Sequence, residues 1–335
     1  MLARMIVRRL AFLILVLIGL SFITFMLSHV VPADPARLYA GPRASGAAVA
    51  LIRHQFGFDL PIWAQYANFL GNLKDGNFGY SLVSNRPVAA DLHDYLPATI
   101  ELTLGAMVMA IAVGIPLGVI AGVWNRSWID YGVRLISGLG LAMPAYWLAL
   151  LAQLIFFDHL RWFPADSRLD PAAIPPPRIT GLYTIDSLLA WDPGLFVQSL
   201  WHLALPSAVL GFGATAVLAR MVRASMIDAL AQDYVRTARA KGVGRRAVII
   251  RHVLRNALLP ATTLVGLQIG SLLGGALLVE NIFSWPGIGR YATAAVFALD
   301  YNAVMAVTLV AALIFVMVNL VVDVVYMALD PRVVY

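Results

Sequence analysis

Six stretches of this sequence are apolar enough, for long enough, to cross a lipid bilayer: Leu10–Val31, Leu102–Trp124, Leu135–Phe157, Trp201–Leu218, Ala257–Leu278 and Val304–Met327. Crossing a hydrocarbon core of about 30 Å takes about 20 residues at the helical rise. Backbone N–H and C=O groups in lipid must pair within their own segment, so each stretch is expected to be an α-helix. With 61% of residues hydrophobic and only 13% charged, lipid is the expected solvent for much of the chain. The expected fold is therefore an all-α membrane protein with six transmembrane helices. Trp201–Leu218 is the shortest stretch. Gly114, Pro116, Pro144, Pro206 and Pro260 fall inside these segments, where membrane helices tolerate them as kinks and close contacts.

The basic residues orient the chain. With the N-terminus cytoplasmic, fifteen Lys and Arg fall on the cytoplasmic side, nine of them between Arg220 and Arg255. The opposite side holds nine, spread over longer loops. Both termini are thus expected in the cytoplasm. Arg8-Arg9 ahead of the first apolar run resembles a secretion signal, but that run is long and ends in Val31-Pro32-Ala33-Asp34, so it reads as an uncleaved anchor. Three parts follow: residues 1–31 as N-terminus and first span, 32–99 as an extracytoplasmic cap, and 100–335 as a five-helix core carrying a cytoplasmic segment, 220–256. In the cap, Ala47–Phe56 and Ile62–Leu73 are amphipathic. Asp158–Ser199 is proline-rich and reads mostly as an irregular loop.

Several kinds of chemistry are excluded. There is no cysteine, so neither disulfides nor thiolate chemistry are available. His29, His54, His93, His159, His202 and His252 are scattered without ligand spacing, which argues against a metal site. No basic run interleaved with aromatics suggests nucleic acid, despite a net charge of +6. No Ser/His, paired-Asp or His-x-x-x-His set on facing spans suggests an intramembrane enzyme. A secondary carrier would need ionisable groups near mid-membrane. Here Glu101, Glu280 and Asp323 lie near span ends. A nucleotide loop needs a Gly-rich turn followed by Lys, and neither Lys74 nor Lys241 completes that pattern. Energy for transport would have to come from another subunit.

The segment 220–256 carries its own helix signals. Asp233 is a plausible N-cap for a short helix, Tyr234–Lys241. Gly242 fits the left-handed position just beyond it, with Arg239 and Lys241 favouring the helix dipole. A second helix is expected to start near Gly244-Arg245-Arg246 and to run towards Pro260. Spacing alone favours a plainer role, a basic loop that fixes topology.

The stretch Asp233-Tyr234-Val235-Arg236-Thr237-Ala238-Arg239-Ala240-Lys241-Gly242 resembles the cytoplasmic motif of the dipeptide/oligopeptide ABC-importer permease family. Arg251–Pro260 and the run Glu280-Asn281-Ile282-Phe283-Ser284-Trp285-Pro286-Gly287-Ile288-Gly289-Arg290 continue the resemblance, as do Pro32-Ala33-Asp34-Pro35 and Asp330-Pro331-Arg332. The resemblance implies a type I ABC-importer permease in a bacterial inner membrane. It also implies a second, related permease subunit, a substrate-binding protein, and ATPase subunits that bind ATP and Mg. By the same resemblance, Tyr234, Arg236, Thr237, Ala238, Arg239, Ala240, Lys241 and Gly242 form a coupling helix that docks on an ATPase. The chain departs from the general importer motif, with Arg236-Thr237-Ala238 where Glu-Ala-Ala usually stands. The implied cargo is a short peptide. Nickel–chelator complexes, glutathione or haem precursors are alternatives on the same machinery, and a passive channel or lone carrier is an alternative of another class.

Four further polar residues are candidates for a pathway or gate. Gln268 and Asn319 lie in mid-span, where interhelical hydrogen bonding is the commoner role. Glu280 and Asn281 lie at the outer end of the fifth span. The turn after them reads as an outer gate or, more plainly, as an interfacial Trp285 and a turn residue, Gly287.

Overall fold

The computed structural model describes residues 2–30, 34–41, 43–55 and 57–329. Pro32-Ala33 and Asp330-Pro331-Arg332, which carry part of the family resemblance, lie outside the described residues. Helices in chain order are α1 (Leu2–Val30), α2 (Pro35–Ala40), α3 (Gly46–Gln55), α4 (Ile62–Lys74), α5 (Val88–Val123), α6 (Trp128–Ala142), α7 (Ala145–Ala152), α8 (Tyr183–Leu189), α9 (Pro193–Leu230), α10 (Asp233–Ala240), α11 (Arg245–Ala247), α12 (Leu254–Ala257), α13 (Leu259–Ile282), α14 (Ile288–Phe297) and α15 (Tyr301–Leu329). Wider π-helical turns extend α7 over Gln153–His159 and fill Val248–Val253 between α11 and α12. Among the described residues, four helices are long and apolar enough to cross a membrane: α5, α9, α13 and α15 over Tyr301–Val322. They become five if the bent pair α6 and α7 counts as one span. α1 contains a shorter apolar stretch, Ala11–Leu27.

The chain divides into two compact units, residues 1–96 with 291–316, and residues 97–290 with 317–335. In the first unit, residues 47–55 and 62–73 of the amphipathic stretches fold within α3 and α4. Asp34 caps α2, accepting from Ala36 N at 3.1 Å, with Pro35 in the first turn. α4 packs against α1, with Ser21 Oγ and Tyr66 Oη 2.9 Å apart and the rings of Phe25 and Tyr66 5.2 Å apart. Buried Asp300 accepts from Ser81 Oγ and Leu82 N, both at 2.6 Å. That pairing fixes the turn ahead of α5 to the start of α15.

In the second unit, α5 and α9 lie side by side along a ladder of small residues. Gly114 faces Thr215, Gly118 faces Ala219 and Val222, and Gly122 faces Met226. Lipid tails are as apolar as leucine, so such helices gain by close backbone approach rather than by burial from water. α13 joins the same core through Leu272, Ala276 and Val279, packed with Leu102, Ala106 and Ala110 of α5 and Leu210 and Leu218 of α9.

Three features differ from the sequence expectation. The third apolar stretch is not one rod: α6 and α7 meet at 108°. Pro144 excludes helical backbone from the residue before it, and Met143 is extended at ψ 125°. Pro260 does not kink a span but stands in the first turn of α13, where a missing N–H costs nothing. α9 is 38 residues long and starts at Pro193 behind an Asp192 cap, so the shortest apolar stretch belongs to the longest helix.

The segment from 158 to 192 is irregular only at first, then forms α8, and it is firmly held. Arg168 and Glu101 form a buried ion pair at 2.5 Å, and the guanidinium stacks 3.5 Å from the Tyr183 ring centre. Thr184 donates to Glu101 from N and Oγ1, at 2.8 and 2.7 Å. Burial alone would push the Asp186 carboxyl up. Hydrogen bonds donated by Thr180, Gly181 and Ile179 outweigh burial and hold it below its usual range.

Candidate functional site

α10 forms where its sequence allows a short helix and nothing longer. Gln232, not Asp233, occupies the cap position, and it makes no side-chain capping bond. Asp233 is instead the first helical residue, where its charge complements the positive end of the helix. Lys241 closes the helix, and Gly242 follows at φ +77°, the left-handed conformation expected of it. α11 begins after Gly244, as the second helix was expected to.

Of the eight candidate coupling residues, Tyr234, Arg236, Thr237, Arg239, Ala240, Lys241 and Gly242 are exposed. Ala238 is the exception. With Val235 it faces inward, into the packing that seats the helix. The seat is a hydrophobic cluster of Val222, Met226 and Ala229 of α9, Val248 and Val253 of the π-helical segment, and Ala257 and Ala261. Ile115, Val119 and Val123 of α5 pack against it. A load on α10 therefore bears on α5, α9 and α13 through one packed core.

A polar staple stiffens the same end of the unit. Asp130, at the start of α6, is buried and pairs with Arg223 of α9. It also accepts from Arg126 N at 3.0 Å, while Arg223 Nη2 donates to Asn125 Oδ1 at 3.1 Å. Nothing in the spacing of residues 93 positions apart pointed to this pair.

The four pathway candidates have separate surroundings. Glu280 is fully buried, accepts from Thr99 Oγ1 at 2.5 Å and from Arg290 N at 3.0 Å, and so is held by α5 and by the turn after α13. Thr99 Oγ1 in turn accepts from Ile288 N at 2.9 Å. A Cβ on Gly287 would overlap the Glu280 carboxylate, so the turn needs glycine there for space. Trp285 is not an interfacial belt residue: it is fully buried, and its Nε1 donates to Ala98 O at 2.8 Å. Asn281 donates to Leu277 O at 2.7 Å within its own helix. Gln268 is half-buried on α13, and Asn319 is half-buried on α15. Thr99, Arg168 and Asp130 escaped the sequence reading. An acid at the end of a span, with Trp285-Pro286-Gly287 a few residues on, was the one visible hint of the turn that wraps Glu280. Among the described residues no group of His, Asp or Glu has metal-binding geometry.

Several helices long and apolar enough to cross a membrane, with a short helix displayed on their shared core, are the architecture of a membrane-embedded component. The chain belongs to the binding-protein-dependent transport system inner membrane component family: residues 114–335 match that family, and residues 1–103 match the N-terminal region of such membrane components. It is 44% identical over 328 residues to the dipeptide transport system permease protein of Alkalihalophilus pseudofirmus (strain ATCC BAA-2126 / JCM 17055 / OF4), covering 98% of each chain. It is 42% identical over 321 residues to the probable D,D-dipeptide transport system permease protein of Escherichia coli (strain K12), covering 96% of this chain and 94% of that one. Identity to the glutathione transport system permease protein of Escherichia coli (strain K12) is 38% over 330 residues, covering 98% of each.

Proposed function

We propose that this chain is the permease subunit of an ATP-driven importer of di- and oligopeptides, itself non-catalytic, lining half of the path through the membrane. The observation that carries the coupling part is α10, which is exposed on one side and seated on the other in a core shared with α5, α9 and α13. On this reading α1 and the bent α6–α7 pair complete six spans, both termini are cytoplasmic, and residues 32–99 cap the outer mouth. The distribution of Lys and Arg supports that orientation. A second, related permease completes the pathway, a binding protein delivers cargo, and separate ATPase subunits bind ATP and Mg. ATP binding draws the coupling helices together and turns the spans outward. Peptide cargo is supported by the dipeptide names of the relatives at 42–44% identity. The glutathione relatives at 38% favour a second reading, uptake of that modified tripeptide, more weakly.

Gentle solubilisation of the tagged chain tests the assembly. A second permease and an ATPase should co-purify in fixed ratio, and a folded chain that purifies alone would sink the coupling reading. Gly242→Val probes the link itself. No atom lies within 4 Å of the added Cβ, so the change acts only through left-handed backbone strain, about 1–2 kcal/mol. The spans should stay folded while substrate uptake per ATP hydrolysed falls. Normal uptake by this variant would remove the assignment.

A further inference from the structure

Beside α10 lies a cleft of about 360 Å³. Its walls are the last turn of α5 (Gly122, Val123), the end of α9 (Ile227, Leu230, Ala231) and Ile249, with Asn125, Arg239 and Arg245 as its polar lining. Arg239 is shared with the proposed coupling helix, but the coupling role does not account for Arg245 or for the cavity between them. Two arginines line one small space, no acidic residue does, and neither arginine has an ion-pair partner among the described residues. Nor does either donate to a carbonyl of the adjoining helix ends among the described residues, so capping of those ends does not account for them.

Two like charges on one cavity without a counter-ion repel, and an anion bound between them removes that cost. Arginine's planar fork suits a phosphate, which accepts two parallel hydrogen bonds. The remaining lining is aliphatic and stands at the ends of two helices long and apolar enough to cross a membrane, and phospholipid phosphates lie outside the apolar part of such a helix. The volume is at the low end for small-molecule sites, and a single acidic side chain would fill little of it.

We propose that this cleft binds the phosphate of an anionic phospholipid headgroup, held by Arg239 and Arg245 against the apolar ends of α5 and α9. The inference requires only that these helix ends lie at a membrane surface, and so stands apart from the choice of cargo. The bound headgroup bridges α5 and α9 to α10 and α11, and anionic lipid should therefore stiffen the seat of α10.

The test is native mass spectrometry of the full chain in its extracted assembly, reconstituted with phosphatidylglycerol or with phosphatidylcholine. Phosphatidylglycerol should be retained selectively, and Arg245→Gln should weaken retention on the order of tenfold, as expected for loss of a charge-assisted contact. Arg245 is exposed, and an unchanged melting temperature in phosphatidylcholine establishes that the variant is folded. Retention that persists in millimolar inorganic phosphate identifies a lipid site. Displacement by inorganic phosphate alone would transfer the site to a soluble phosphate and overturn the lipid assignment. Equal retention of both lipids, or retention unaffected by Arg245→Gln, would also overturn it. If Arg245→Gln instead releases the ATPase while phosphatidylglycerol stays bound, the cleft belongs to an acidic side chain of that partner.

Discussion

Gly118→Leu is expected to prevent the second unit from folding, with little full-length chain left in the membrane. An added Cβ would stand 2.6 Å from Ala219 O and 2.7 Å from Val222 Cβ, both on α9. A side-chain tip can rotate away, but a helical carbonyl can move only if the helix moves. Gly114 and Gly122 hold α5 to the same close approach one turn to either side. Overpacking a core costs about 1–3 kcal/mol, and the rigid neighbours here place the cost at about the top of that range or beyond. Gly138→Leu on α6 is the matched control, because nothing lies within 4 Å of its added Cβ and the residue is exposed. Membrane abundance and thermal unfolding in detergent should separate the two variants clearly. Similar behaviour would mean that the α5–α9 ladder does not set the spacing of these helices.

Glu280→Ala is expected to destabilise the same unit by about 3 kcal/mol, the cost of unpaired buried donors together with a cavity. The buried hydroxyl of Thr99 and the part-buried N–H of Arg290 lose their acceptor. Released from that anchor, the turn from Phe283 to Arg290 should become open to proteolysis. Glu280→Gln keeps one acceptor oxygen but turns an N–H₂ towards a donor, so an intermediate loss is expected. Melting temperature and cleavage at this turn decide between an anchor and a gate. An anchor loses stability and transport together. A variant that melts like the parent but transports poorly would return Glu280 to the role of gate.

The sequence made α10 visible because its signals are local. An acidic first turn, basic residues near the C-terminal end and Gly242 just beyond lie within ten positions, and helix-end geometry uses only such neighbours. The choice between Asp233 and Gln232 as cap was not visible, because both side chains are polar and neither makes the capping bond. Trp285 was misplaced for a different reason. A tryptophan beside a span suits a membrane interface as well as a buried pocket, and only the position of Ala98 O distinguishes them. The acids Glu101 and Glu280 were visible as residues near span ends, but their partners Arg168 and Thr99 were not, and neither member of the Asp130–Arg223 pair was.

What the sequence alone determined is whatever depends on solvent and near neighbours. Apolar length requires helices in lipid, and Gly242 ends α10. Tertiary structure decided whatever depends on which surfaces meet. It turned Ala238 inward, matched Gly118 to Ala219, and closed the chain around the carboxylate of Glu280. The physical reason is range: a helical hydrogen bond joins residues four apart, whereas Thr99 and Glu280 meet across 181 positions only because α5 and α13 pack around the same core.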